Sequence, residues 1–229
     1  MRLRVVTYNV RSFRAGVRLA VDAIADVEPD LVMVQEYGPP SRLRAFAGAL
    51  GMDVTSSYRL FNRMRNAVLF RAPWRLKDST IGTLAKHRGE YQRGFVSARL
   101  AEPEATVTAV CTHLGLSARE RPLQTEEILA RLPATDPLIL AGDLNDGPGT
   151  PAVRRLTETL TDCQGAAGDP SSPTFPADAP TTRIDYILVN DAFRPISCRV
   201  GSSDAAAKAS DHLPVIAEVE LLPRAQTLG

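Results

Sequence analysis

Ile139-Leu140-Ala141-Gly142-Asp143-Leu144-Asn145-Asp146-Gly147-Pro148-Gly149 is the stretch on which the reading of this chain turns. The apolar run from Pro137 to Ala141 drives a strand into a core. Gly142 lets the backbone pass close to a neighbour. Asp143 and Asn145 stand two apart, so at an extended strand end they face the same way. Asp146-Gly147-Pro148-Gly149 then closes the strand in a turn. A carboxylate and an amide side by side at the end of a buried strand suit a hard metal ion or a phosphate oxygen. The same residues also suit a plain strand followed by an Asx-type turn.

Working outward, strand patterns fall at Arg2–Val10, Asp30–Gln35, Asp53–Tyr58, Asn66–Phe70, Ile81–Leu84, Gly94–Leu100 and Ala105–Thr112. Further strands are expected at Arg183–Val189, Ile196–Val200 and Leu213–Leu221. Helical spacing of apolar residues covers 16–27 and 41–50. Ser117–Leu132 reads as a helix with Ser117 as N-cap and Glu120 three residues on, and Thr150–Leu160 as one with Pro151 in its first turn. Gly165 to Thr182 reads as a loop, of a length that usually carries function.

The 229 residues contain no linker long enough to separate two units, so a single domain over 1–229 is expected. A hydrophobic share of 44% and a charged share of 23% are those of a globular protein with a sizeable core. Net charge of +1 gives no global electrostatic argument for nucleic acid. Of 27 basic residues only Lys77, Lys86 and Lys208 are lysines. That arginine excess suits phosphate recognition, and equally reflects codon usage in a GC-rich genome. Cys111, Cys163 and Cys198 have neither metal spacing nor a disulfide framework, and Cys111 reads as a buried thiol. The N-terminus runs straight into a strand, and no apolar run reaches the length of a membrane span. A cytoplasmic location is therefore expected, with no obligate protein partner evident.

Six strands deliver Asn, Asp, Glu or His at or just beyond their ends: Asn9, Glu36, His113, Asp143 with Asn145, Asp185, and Asp211-His212. Each alone has an ordinary explanation as a turn, a solvated charge or a core residue. Together they are hard-oxygen ligands plus two of the three histidines, the residue types that metal-assisted phosphoryl chemistry uses.

The motifs Thr7-Tyr8-Asn9-Val10, Gln35-Glu36, Asn66-Ala67-Val68-Leu69, Gln92-Arg93-Gly94-Phe95, Thr112-His113-Leu114, Gly142-Asp143-Leu144-Asn145, Arg183-Ile184-Asp185-Tyr186-Ile187 and Ser210-Asp211-His212-Leu213-Pro214 follow one another from residue 7 to residue 214. In that order they resemble the endonuclease/exonuclease/phosphatase superfamily, the fold of pancreatic deoxyribonuclease. The resemblance implies an α+β fold: a four-layer α/β/β/α sandwich of two mostly antiparallel sheets with outer helices. It implies a Mg²⁺-dependent phosphodiester hydrolase, with Mn²⁺ able to substitute. The substrate would be nucleic acid, cut by an endonuclease or exonuclease, or else a small phosphodiester or a phospholipid head group.

Carried over residue by residue, the resemblance makes Glu36 the main metal ligand, with Asp211 and Asn9 nearby. His212 would be the general base for water, with Asp185 holding its other ring nitrogen. Asp143 would orient the water, Asn9 and Asn145 would hold phosphate oxygens, and His113 would donate to a phosphate oxygen or the leaving group. Arg93 would support the phosphate pocket.

The chain also departs from named branches of the superfamily. His113 stands where abasic-site enzymes usually place Tyr. Thr182-Arg183-Ile184-Asp185 replaces the Trp-Cys-Asp-Arg signature of inositol-polyphosphate 5-phosphatases. Met64-Arg65 replaces the Glu that partners the active-site histidine in pancreatic-type deoxyribonucleases. Thr174-Phe175-Pro176 also occurs in small bacterial and sphingomyelinase-like members. Arg11, Arg14, Arg59, Arg63 and Arg65 flank motif loops and are candidate phosphate contacts, or a solvated rim.

Overall fold

In the computed structural model, which describes residues 1–56 and 64–223, the run that opens the sequence reading forms a strand buried on both faces. The strands in chain order are Arg2–Asn9 (β1), Leu31–Gln35 (β2), Asp53–Ser56 (β3), Ala67–Phe70 (β4), Arg75–Thr83 (β5) and Gly94–Ala101 (β6). Thr106–His113 (β7), Leu138–Asp143 (β8), Thr161–Asp162 (β9), Asp185–Val189 (β10), Phe193–Val200 (β11) and Val215–Leu221 (β12) follow. The α-helices are Val17–Asp22 (α1), Pro40–Ala49 (α2), Arg121–Leu129 (α3), Pro151–Thr157 (α4), Cys163–Ala167 (α5) and Asp204–Ala209 (α6).

The strands make two six-stranded sheets, ordered β11-β12-β1-β2-β4-β3 and β5-β6-β7-β8-β10-β9. Each sheet has one parallel pair at its centre, β1 with β2 and β7 with β8; the other pairings are antiparallel. Strands buried on both faces read as unbroken apolar runs, and alternate residues go to opposite cores. Leu3, Val5, Leu31 and Met33 meet Ala109, Cys111, Ile139, Ala141 and Ile187 between the sheets. Val6, Tyr8, Val32 and Val34 face α1, α2 and α6 through Ala20, Leu43, Phe46 and Ala206. Val110, Leu140 and Leu188 face α3 and α4 through Ile128, Val153 and Leu156. The result is the expected α/β/β/α sandwich. A central truncation such as Ile139→Ala would cost about 2–5 kcal/mol.

Register explains why the strand ends converge. In the parallel pairs Asn9 lies opposite Gln35 and His113 opposite Asp143, so both pairs end at one rim. β10 runs back antiparallel from that rim, with Asp185 opposite Asp143. β12 leaves it with Val215 opposite Thr7, which sets His212 just beyond the edge. At Gly142 an added Cβ would lie 1.9 Å from the Thr112 carbonyl oxygen, so the parallel strands can approach only over a glycine.

Several local expectations are corrected. Ser117 does not cap a helix: its Oγ accepts from Arg119 N at 3.3 Å, and α3 begins at Arg121. Glu120 does not complete a capping box, because its carboxylate accepts from His87 N at 2.6 Å. The stretch from Gly165 is not all loop, since α5 begins at Cys163, capped by Asp162, whose Oδ1 accepts from Gln164 N at 3.1 Å. A helix absent from the sequence reading, α6, is capped by Ser203 through Ala206 N at 3.1 Å. β5 is longer than Ile81–Leu84 and begins at Arg75. The end of the expected strand at Tyr58, with Arg59 and Arg63, lies outside the described residues. Among those residues no helix is long and apolar enough to cross a membrane.

Candidate active site

The sandwich rim opens into a cleft of about 670 Å³ lined by Glu36, Arg93, His113, Asp143, Asn145 and His212 among others. Asp143 is its hub. Asp143 Oδ2 accepts from Asn9 Nδ2 at 3.0 Å and lies 3.2 Å from His113 Nε2 and 3.7 Å from His212 Nε2. Its Oδ1 accepts from Asn145 N at 2.9 Å. This last bond is the Asx-type turn; Asn145 takes the left-handed conformation at φ 50° and its Nδ2 reaches 3.0 Å from His113 Nε2. The turn and the site are therefore the same feature.

Asp185 and His212 form the second half. His212 Nδ1 is 2.9 Å from Asp185 Oδ2, and both side chains are buried. Thr174, which the sequence reading gave no role, donates from Oγ1 to the same Oδ2 at 2.6 Å. That hydroxyl also accepts from Ile184 N at 3.2 Å and Asp185 N at 3.3 Å, so it fixes where β10 begins. The ring of Phe175 packs on His212 at 4.9 Å between centroids. The sequence signal for these two residues was the Thr174-Phe175-Pro176 motif shared with small bacterial and sphingomyelinase-like members, which by itself gave neither residue a role.

The two histidines sit in opposite electrostatic surroundings. Burial pushes the His113 imidazole down to about 3; Asp143 works against that shift, while Arg93 and His212 add to it. Arg93 NH1 lies 3.1 Å from His113 Nδ1. His212 is buried too, which alone would lower it, but Asp185, Asp143 and Asp211 together lift it to about 10. Without a bound cation His212 is thus an imidazolium and His113 a neutral ring.

Glu36 reaches the cleft from a left-handed residue, φ 53°, and its side chain is 41% exposed. Its Oε1 lies 3.9 Å from His113 Nδ1 and its carboxylate accepts no hydrogen bond among the described residues. Asp211 does not line the cleft. Its Oδ2 pairs with Arg11 Nε at 3.1 Å beside a smaller depression of about 250 Å³ that also touches Arg14 and Lys208. Ser210 ties this loop to β1 by donating to the Asn9 carbonyl at 2.7 Å.

The donor set suits a hard divalent cation. Asp143, Asp185 and His212 offer ligand atoms within 4.8 Å of one another, all buried. Asp185 Oδ1 is buried with no hydrogen-bond partner among the described residues, an acceptor open to a cation or a donor. Glu36 adds a carboxylate with open coordination, and no thiolate is present, which favours Mg²⁺ or Mn²⁺ over structural Zn²⁺.

Known proteins share this fold. The model of the "Endonuclease/Exonuclease/phosphatase family" matches residues 6–212. A Bacteroides vulgatus endonuclease/exonuclease/phosphatase structure is 21% identical with a TM-score of 0.82, covering 97% of this chain and 100% of that one. The mannosyl-6-phosphatase of Bacteroides thetaiotaomicron is 20% identical with a TM-score of 0.80, covering 96% and 100%. D. rerio TDP2 complexed with single-strand DNA product is 17% identical with a TM-score of 0.79, covering 96% and 99%. In direct comparison no curated protein matches the sequence. With that family model running across nearly its whole length, the chain belongs to the endonuclease/exonuclease/phosphatase family and is a hydrolase of phosphoester bonds.

Proposed function

We propose that the protein is a divalent-metal-dependent phosphodiester hydrolase acting on nucleic acid. The observation that carries the reading is the Asp185–His212 pair, 2.9 Å apart, opening on the cleft that Glu36, His113 and Asn145 also line. Glu36 would hold the ion, with Asp185 Oδ1 as a further donor. When bound, the ion supplies Lewis-acid polarisation of a phosphate oxygen and offsets charge in the transition state.

The chain's own residues do the rest. His212 Nε2 takes a proton from water as the water oxygen bonds to phosphorus and the bond to the leaving oxygen breaks. Asp185 fixes the ring through Nδ1 and balances the imidazolium that forms. Asp143 orients the water from between the two histidines. Asn9 and Asn145 hold phosphate oxygens, with their amides positioned by Asp143 and by the His113 ring. His113, neutral, accepts from Arg93 at Nδ1 and so carries its one proton on Nε2, which would turn from Asp143 to a phosphate oxygen or the leaving group, with Arg93 adding positive charge behind it. Asp211, paired with Arg11, would join the metal only by giving up that ion pair.

A small phosphate ester is the second reading, and one observation favours it: the cleft, about 670 Å³, is the size of a site for one small ligand. The mannosyl-6-phosphatase neighbour suits it, as the neighbour with a single-strand DNA product suits the first. A panel of single-stranded DNA, RNA, bis-p-nitrophenyl phosphate, a sugar 6-phosphate and a phospholipid decides. Highest kcat/KM on an oligonucleotide upholds the nucleic-acid reading. Turnover of the sugar phosphate or the phospholipid, with the oligonucleotides intact, replaces it.

A further inference from the structure

Large apolar side chains exposed to solvent are few among the described residues, and two of them, Tyr91 at 65% and Leu116 at 60%, both line the active-site cleft. They come from segments far apart in sequence. Tyr91 is on the loop between β5 and β6; Leu116 follows the end of β7. One buried side chain ties these segments together. Gln124 of α3 accepts from Gly115 N at 2.7 Å through Oε1 and donates to the Ala85 carbonyl at 2.8 Å through Nε2.

Further bonds brace both segments on the same helix or just before it. Glu120 accepts from His87 N at 2.6 Å, and Glu127 accepts from Ala85 N at 2.8 Å. Arg121 donates to the Leu116 carbonyl at 2.7 Å while its Nε pairs with Asp146 at 2.9 Å. Gly115 is part of the device, because a Cβ there would meet Glu120 Oε2 at 2.4 Å. At the base of the loop, Gln92 Nε2 donates to the Leu84 carbonyl at 2.7 Å and to the Arg93 carbonyl at 2.9 Å.

Tyr91 and Leu116 leave apolar surface in water at the cleft, and two buried side chains, Gln124 and Glu120, brace the backbone of the segments that carry them. We infer that Tyr91 and Leu116 form a fixed ledge that stacks the base of an unpaired nucleotide whose phosphate lies at the Glu36–His113–His212 site. This deepens the nucleic-acid reading above and rests on it. A π-face and an aliphatic side chain in one cleft can hold a nucleobase without reading its sequence. Anchoring of the backbone around these positions means that less loop freedom is lost on binding. The charge agrees: the same loop carries exposed Lys86 and Arg88, and the cleft wall carries Arg93. A duplex keeps its bases in the stack, so the ledge selects single-stranded ends or loops.

The test uses His212→Ala protein with Mg²⁺, so that binding is read without turnover. Two single-stranded oligonucleotides are compared, identical except that one carries an abasic linker at one nucleotide, with the position scanned along the strand. The ledge predicts about tenfold tighter binding of the base-bearing strand at one position, and quenching of 2-aminopurine placed there. Adding Tyr91→Ala or Leu116→Ala removes that preference, whereas Tyr91→Phe retains it. Equal affinity for both strands at every position, or a preference that survives both alanine changes, overturns the ledge. If wild-type protein cleaves oligonucleotides but cuts base-bearing and abasic strands equally well at every scanned position, the ledge alone fails. If it cleaves bis-p-nitrophenyl phosphate and never an oligonucleotide, the nucleic-acid reading fails with it.

Discussion

Nδ1 of His212 stands 2.9 Å from Oδ2 of Asp185, and the same carboxylate oxygen takes the Thr174 hydroxyl at 2.6 Å. The imidazole is thereby aimed, and its second nitrogen is left facing Asp143 at 3.7 Å. Asp185→Asn can present an NH₂ to Nδ1, favour the other tautomer and remove the balancing charge. Turnover should fall by roughly 10²–10⁴-fold for His212→Ala. Asp185→Asn should do much of the same damage, and the double variant little more than either single one, because both changes disable one unit. Losses in kcat that multiply in the double variant would separate the two residues.

Thr174→Val should lower kcat about tenfold with little effect on KM, and Thr174→Ser should restore it. Valine keeps the volume but removes both the donor to Asp185 and the acceptor for the Ile184 and Asp185 amides. A purely structural role would instead lower thermal stability while leaving kcat of the folded fraction unchanged. Steady-state kinetics with a melting curve on each variant distinguish the two.

The two histidines should give metal-free stability opposite pH dependences. His212 has a folded pKa raised from 6.5 to about 10, so its contribution is fully present below pH 6.5 and is lost as pH rises through about 10. His113 is lowered from 6.5 to about 3, so stability is intact above pH 6.5 and falls as pH drops toward 3. Urea unfolding in EDTA across this range should show His212→Gln flattening the alkaline limb and His113→Gln the acid limb. A divalent cation should also lower the His212 pKa, because the ion and the imidazolium repel. An NMR titration of His212 that is identical in Mg²⁺ and EDTA would contradict this.

Gly142→Ala should destabilise the fold by more than about 3 kcal/mol, beyond an ordinary surface substitution. Its Cβ would sit 1.9 Å from the Thr112 carbonyl oxygen, which itself belongs to the strand carrying His113. Gly147→Ala, where nothing lies within 4 Å, is the control and should be tolerated. Denaturation midpoints of the two variants make the comparison.

What the sequence disclosed follows from where apolar runs stop. Asn9, Glu36, His113, Asp143 and Asp185 each adjoin a strand buried on both faces, so the pattern breaks visibly at the residue that turns to the rim. Thr174, Glu120 and Gln124 were illegible as site-building residues because their partners lie across the fold. Ser117 and Glu120 have the right spacing for a capping box, but the carboxylate binds His87 N instead, a tertiary contact overriding a local one. β5 escaped full recognition because it is an exposed edge strand with little apolar alternation. α5 and α6 are single short helices whose caps, Asp162 and Ser203, are common turn residues as well.

Hydrolysis of bis-p-nitrophenyl phosphate, measured with Mg²⁺ and in excess EDTA for wild type and for folded Glu36→Gln, tests the central claim most directly. The account predicts turnover that EDTA abolishes and excess Mg²⁺ restores, with Glu36→Gln needing far more Mg²⁺ for the same rate while melting as wild type does. Removing one negative charge weakens the hold on a hard dication and keeps the side-chain volume. Full activity in excess EDTA, or an unchanged Mg²⁺ requirement in Glu36→Gln, would contradict it.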